Sequence, residues 1–280
     1  MKLPLPLPLP TLLSALTLLT PVLSAKTLNI VSHPDDDLLF LNPDIQHDIS
    51  SGFTVRTVYL TSGDAGQPYE YWTLRQAGLL AAYAQMAGVE SIWDESDVGV
   101  TGKDIPVYTL RSKPEVSLAF MHIPDGSMDG NGFPATGQES LEKLWKRAIA
   151  RIRTVDESGT TYSRDELVET LRQIIDSFAP DSLNSLDYLH AYGNGDHSDH
   201  ISVGLFTNTA AIVSNFPGSV VAYRGYPVKF EPANLAGNDL VRKKEVFYTY
   251  AAYDDSVCGS DQACAGKEYE LWLPRLYTSN

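Results

Sequence analysis

Cysteine is almost absent: Cys258 and Cys264 are the only two in 280 residues. That excludes a disulfide-knit mini-scaffold and a four-cysteine zinc module. Basic residues are also scarce, 21 Lys and Arg against 35 Asp and Glu, for a net charge of −14. So acidic a chain is a poor partner for nucleic acid or an anionic membrane surface, and is compatible with a neutral or cationic sugar. No Asn-x-Ser/Thr acceptor occurs, so there is no glycosylation mark of secretion. Internal repeats are absent, and no low-complexity tract follows residue 25. No uninterrupted apolar run reaches the ~20 residues that a spanning helix needs.

What is present is a globular composition, 43% hydrophobic and 20% charged, in a chain long enough for one large domain. The first 25 residues stand apart. Lys2 is their only charge, Leu12 to Leu23 is leucine-rich, and Ser24-Ala25 supplies small residues. This pattern is expected to be a signal peptide cleaved after Ser24 or Ala25, with an uncleaved anchor as the alternative. It predicts a domain over residues 26–280, secreted or in the secretory-pathway lumen, with a C-terminal extension from about residue 231. In such a compartment Cys258 and Cys264 are expected to pair.

Periodicity predicts strands over 28–31, 53–60, 116–122, 182–186 and 220–224. Helices are predicted over 72–87, 141–152 and 167–178, the last capped by Ser163 with Glu166 three residues on. A further helix is expected to start just after His200. Strands alternating with helices imply a three-layer α/β fold with a mostly parallel, Rossmann-like sheet, in which sites form at the carboxyl ends of strands.

Two clusters fall at such ends. Ser32-His33-Pro34-Asp35-Asp36-Asp37 follows the first strand, and Asp196-His197-Ser198-Asp199-His200 follows the fourth. Each offers a pair at spacing i, i+3: His33 with Asp36, and His197 with His200. Two imidazoles and a carboxylate with an open position suit catalytic zinc. The extra carboxylates suit a base or a partner that orients a histidine, which points to metal-assisted hydrolysis. A solvated acidic turn is the bland alternative for Asp35-Asp36-Asp37. Adjacent acids beside a buried strand repel one another, however, and a cation relieves that cost.

These motifs, their order and their strand context resemble the LmbE-like, or PIG-L, family of zinc-dependent de-N-acetylases over roughly residues 27–230. Thr61-Ser62-Gly63-Asp64-Ala65-Gly66 is similar to a family loop, and Arg75 and Ile123-Pro124-Asp125-Gly126 fall where the family has an Arg and an Asp-containing substrate loop. The resemblance implies His33, Asp36 and His200 as zinc ligands and Asp35 as the general base. It implies His197 at the oxyanion or the leaving amine, with Asp199 holding its ring, and Arg75 and Asp125 as substrate-binding residues. Three positions depart from the family pattern: Gly78 stands where a Glu is common, Asp37 where Glu is commoner, and Gly195 where some members carry Tyr.

The expected activity is removal of acetyl from an N-acetylhexosamine unit of an extracellular or secretory-pathway glycan. Alternatives are an N-acetylglucosaminyl-phosphatidylinositol de-N-acetylase at the endoplasmic reticulum membrane, a non-catalytic glycan-binding protein, and a calcium- or magnesium-dependent phosphoesterase, for which the histidines are poor ligands. Tyr69, Tyr71 and Trp72 follow the Gly-containing loop, where they are either sugar-stacking residues or ordinary core and surface. No protein partner is indicated.

Overall fold

All five expected strands are present and form the parallel centre of the sheet in the structure, a computed structural model that describes residues 1–2 and 24–279. Residues 3–23 of the expected leader lie outside the described residues. Among the described residues no helix is long and apolar enough to cross a membrane.

The strands are β1 (Lys26–Val31), β2 (Thr54–Thr61), β3 (Trp93–Asp97), β4 (Pro106–Leu110), β5 (Val116–Ile123), β6 (Ile152–Arg153), β7 (Thr161–Tyr162), β8 (Ser182–Leu186), β9 (Val221–Tyr223) and β10 (Thr278–Ser279). An eight-stranded sheet runs in the order β10-β9-β8-β1-β2-β5-β4-β3, with β6 and β7 paired separately. The five from β9 to β5 are parallel; β10 at one edge and β4 and β3 at the other are antiparallel. The edge strand Trp93-Asp94-Glu95-Ser96-Asp97 is largely exposed and acidic, so it carries little of the apolar signal that marks a strand.

Alternation of side chains along each strand builds two cores. Val55 and Tyr59 of β2 face one side, Val58 and Leu60 the other. The first face is covered by α1 (Asp44–Ser50), α2 (Tyr69–Ala87) and, from the C-terminal segment, Val246, Phe247 and Tyr250. The second is covered by α3 (Leu141–Trp145), α4 (Arg164–Phe178) and α5 (Ser198–Ser214). Ser163 and Glu166 form the expected capping box. The helix expected over 141–152 stops at Trp145: Arg147 turns into the left-handed region at φ 58°, and Ile152 enters β6. Its apolar spacing reports burial against the second core rather than helix.

β1 is flanked by β8 and β2, which makes it the point where strand order reverses. Ligand crevices of open α/β sheets open there, at the carboxyl ends. The C-terminal extension, α6 (Gly237–Ala251), α7 (Asp261–Cys264) and α8 (Glu268–Trp272), folds back over the first core. Cys258 and Cys264 are joined in a disulfide within it.

Lys243 of α6 is fully buried, and its ammonium donates to the Arg275 carbonyl at 2.8 Å. Burial pushes it down to about 7, against the weaker pull of Asp44. Between about pH 7 and the ordinary 10.5 the unfolded chain binds more protons at this site, so this residue's contribution to stability rises with pH over that window. Denaturant unfolding at pH 7 and pH 9 should therefore show the stability of the wild type relative to Lys243→Met increasing with pH. A constant difference would mean that Lys243 folds charged.

Candidate active site

Both clusters converge at the carboxyl edge of the switch point. β1 ends at Val31 and delivers His33, Asp35 and Asp36. β8 ends at Leu186, and the chain then reaches α5, whose N-cap is His197. The helix begins at Ser198, three residues earlier than expected, so Asp199 and His200 lie on its first turn rather than in a loop.

His33, Asp36 and His200 are buried and bring their ligand atoms within 4.8 Å of one another. Asp36 links the two imidazoles, with Oδ1 2.9 Å from His200 Nε2 and Oδ2 3.0 Å from His33 Nδ1. Oδ2 also accepts the His33 backbone N–H at 2.6 Å. Burial disfavours charge on His200, yet Asp36 and Asp196 outweigh it and raise the imidazole to about 10. Burial likewise opposes the charge on Asp36, and His200 and His33 hold it well below the usual carboxylate range. The pocket therefore concentrates negative charge around two imidazoles, an environment that fits a divalent cation on an N₂O donor set.

Asp196 completes the arrangement. Its Oδ1 meets His200 Nδ1 at 2.7 Å and accepts the backbone N–H groups of His197 and Tyr226. A carboxylate behind a ligating imidazole fixes its ring and leaves the other nitrogen for the metal. Asp196 was visible in the second cluster, but no spacing rule singled it out for His200. Gly225 is required beside it, because a Cβ there would collide with the His200 ring and the Asp196 carboxylate.

Asp35 sits on the other side of the motif. Its φ of 149° is unusual for a residue with a Cβ, and such backbone costs roughly 1–3 kcal/mol. Arg75 holds it. The guanidinium is buried and bonds the Pro34 carbonyl at 3.0 Å, Asp35 Oδ1 at 2.9 Å, the Gly63 carbonyl at 2.6 Å, the Tyr250 hydroxyl at 2.7 Å and Asp254 at 3.0 Å. Arg75 is expected from the resemblance to touch substrate; these bonds instead turn it inward, behind Asp35. Burial pushes the Asp35 carboxyl up to about 7, against the pull of Arg75. Tyr250 and Asp254 come from the C-terminal extension. Tyr250 also explains Gly78: a Cβ at that position would meet the Tyr250 ring and carbonyl.

His197 and Asp125 face each other at 3.6 Å. Burial and the neighbouring His33 push His197 down to about 4, which favours a neutral imidazole at neutral pH. Its Nδ1 accepts the Asp199 backbone N–H at 3.1 Å, which places the ring proton on Nε2. The expected bond from the Asp199 carboxylate to this ring is corrected: Oδ2 lies 3.9 Å from Nδ1 and instead accepts Gly126 N–H at 2.7 Å and meets His33 Nε2 at 3.2 Å. Asp125 is held below its ordinary value, against burial, by His33 and His197.

A sequence model of the PIG-L family, described as GlcNAc-PI de-N-acetylase, matches residues 28–211. The chain belongs to the PIG-L family. That membership supports a hydrolytic deacetylase acting on a GlcNAc-type unit. No curated protein sequence matches the chain. Among solved structures, it is similar to N,N'-diacetylchitobiose deacetylase from Pyrococcus horikoshii, at 14% identity and a TM-score of 0.49, covering 89% of this chain and 76% of that one. It is also similar to 4-carboxy-2-hydroxymuconate hydratase from Pseudomonas putida KT2440 (14% identity, TM-score 0.47, 89% and 82%). A zinc-inhibited form of teicoplanin deacetylase Orf2 gives 13% identity and a TM-score of 0.48 over 81% and 84%. At these TM-scores no chemistry is transferred from shape.

The C-terminal clamp on Arg75 generates a prediction. Asp254→Asn should lower kcat about 10- to 100-fold, the range for partners behind a site residue, with bound metal unchanged. Unchanged kcat, measured beside metal content, would show that Asp35 does not depend on the clamp.

Proposed function

We propose that this chain is a zinc-dependent hydrolase that removes the acetyl group from an N-acetylhexosamine unit of a secreted or secretory-pathway glycan. The observation that carries the proposal is the convergence of His33, Asp36 and His200 beside Asp35 and His197 at one buried point. His33, Asp36 and His200 would hold the zinc. When bound, zinc supplies Lewis-acid polarisation of the acetamide carbonyl and lowers the pKa of water.

The protein's own groups do the rest. Asp35, with a carboxyl near 7, takes a proton from the attacking water and can return it to the departing amine at neutral pH. His197 offers Nε2–H to the developing oxyanion as a neutral donor. Arg75 keeps the Asp35 carboxylate aimed, and Asp125 stands beside His197 for the sugar hydroxyls. Secretion rests on the leader alone: Lys2, the leucine-rich run and the small residues at 24–25. The name of the matching family model favours a second reading, action on N-acetylglucosaminyl-phosphatidylinositol at the endoplasmic reticulum membrane.

Acetate release from N-acetylglucosamine and its oligomers, abolished by chelator and restored by zinc, is the expected result. Asp35→Asn should keep about one zinc per chain and lose about 10²- to 10⁴-fold in turnover, whereas His200→Ala should lose both metal and turnover. Equal zinc loss in the two variants would overturn the division of roles.

A further inference from the structure

We propose that the cleft beside the catalytic cluster is a second sugar subsite, so that the substrate is a chain of sugar units rather than a single one. This inference rests on the deacetylase reading and extends it. A cavity of about 590 Å³ lies between the Gly-containing loop, the start of α2, the segment 135–139 and residues 153–155. That volume is within the ~300–1,000 Å³ usual for small-molecule sites. Its inner wall is Asp64, whose Oδ1 accepts the Asp125 backbone N–H at 2.8 Å. The cleft is thus one hydrogen bond from the backbone of Asp125, the residue whose carboxylate lies 3.6 Å from His197.

The wall is built rather than incidental. Tyr69 is 60% exposed, and its ring stands edge-on to Trp72 at 4.9 Å. Trp72 is buried and rests against the His122 ring at 4.8 Å. His122 has a φ of 52° and both ring nitrogens engaged, Nδ1 with Asp156 at 3.1 Å and Nε2 with Gln76 at 3.0 Å. Trp72 is therefore braced from behind, and it holds the exposed Tyr69 ring in place. Tyr71, the third aromatic of the group, turns away and bonds Ser256. Around Tyr69 the cleft carries Gln67, Glu139 and the exposed Arg153. The Arg153 backbone N–H donates to Glu139 Oε2 at 2.8 Å, which ties the two sides of the cleft together. An aromatic face with amide, carboxylate and guanidinium groups at its rim matches a pyranose ring, apolar on its faces and hydroxylated at its edge.

The test compares N-acetylglucosamine with tetra-N-acetylchitotetraose, and N-acetylgalactosamine with its N-acetylated tetramer. In the wild type, kcat/KM should be at least about tenfold higher for one tetramer than for its monosaccharide. Tyr69→Ala and Arg153→Ala should reduce that ratio toward one. Tyr69 is exposed, so its truncation leaves the fold intact, and Arg153→Ala is an independent check. Equal kcat/KM for monosaccharide and tetramer in both series, or a ratio that both variants leave unchanged, would overturn the subsite. Calorimetric titration with the same tetramers separates this from failure of the deacetylase reading. If no acetate is released, tetramer binding that Tyr69→Ala weakens about tenfold still supports the subsite, and equal binding by variant and wild type overturns it.

Discussion

The buried guanidinium of Arg75 is the interaction on which the rest of the site depends. It joins the first motif, the Gly63 loop and the C-terminal extension through one planar group. Breaking a buried pair by removing one partner costs about 3–5 kcal/mol, against about 0–1 kcal/mol for an exposed one. The clamp is therefore close to all-or-none, and its loss would free the strained backbone at Asp35. An Arg suits this position better than a Lys, because its fork reaches two carbonyls and two carboxylates at once.

A second set of buried polar groups supports the first motif from beneath. Asn184 donates to Asn29, Asn29 to Thr57, and the Thr57 hydroxyl meets that of Tyr83, a ladder that crosses β8, β1, β2 and α2. Tyr83 and Tyr59 then donate to Asp37 at 2.7 and 2.9 Å. Burial raises the Asp37 carboxyl to about 7 against those two bonds. The third acid of the motif thus faces the core and opens the π-helical turn Asp37–Leu41, while its two predecessors face the site. That turn carries Phe40, whose ring lies 5.7 Å from His200 and 5.9 Å from Trp272 of α8. Tyr226 stacks on Trp272 at 4.5 Å and completes an aromatic wall beside the His200 imidazole.

The C-terminal extension is thereby part of the site although the family match ends at residue 211. It contributes Tyr250 and Asp254 to the Arg75 clamp and Trp272 to the aromatic wall. Its disulfide lies in the short segment between α6 and α8. A cluster that holds this much charge away from water needs walls on every side, because each unpaired buried charge is costly.

Much was legible in the chain itself. Short apolar, β-rich runs marked the five parallel strands, and two clusters with i, i+3 spacing marked residues that converge at the site, because side chains carried on a strand end and a helix turn leave a local signature. The Cys258–Cys264 pair was legible from proximity. Roles set by partners distant in sequence were not legible. Nothing near Arg75 announces that Asp254, about 180 residues away, helps to hold its guanidinium inward against Asp35. Nothing near His197 announces that its ring is oriented by a backbone N–H and neutralised by burial beside His33. The layers, the strand ends and the donor types follow from local periodicity and residue chemistry, and so can be read from the chain alone. Which carboxylate faces which imidazole is settled by the packed fold, because burial and proximity set charge and hydrogen bonding and depend on contacts that the chain order does not contain.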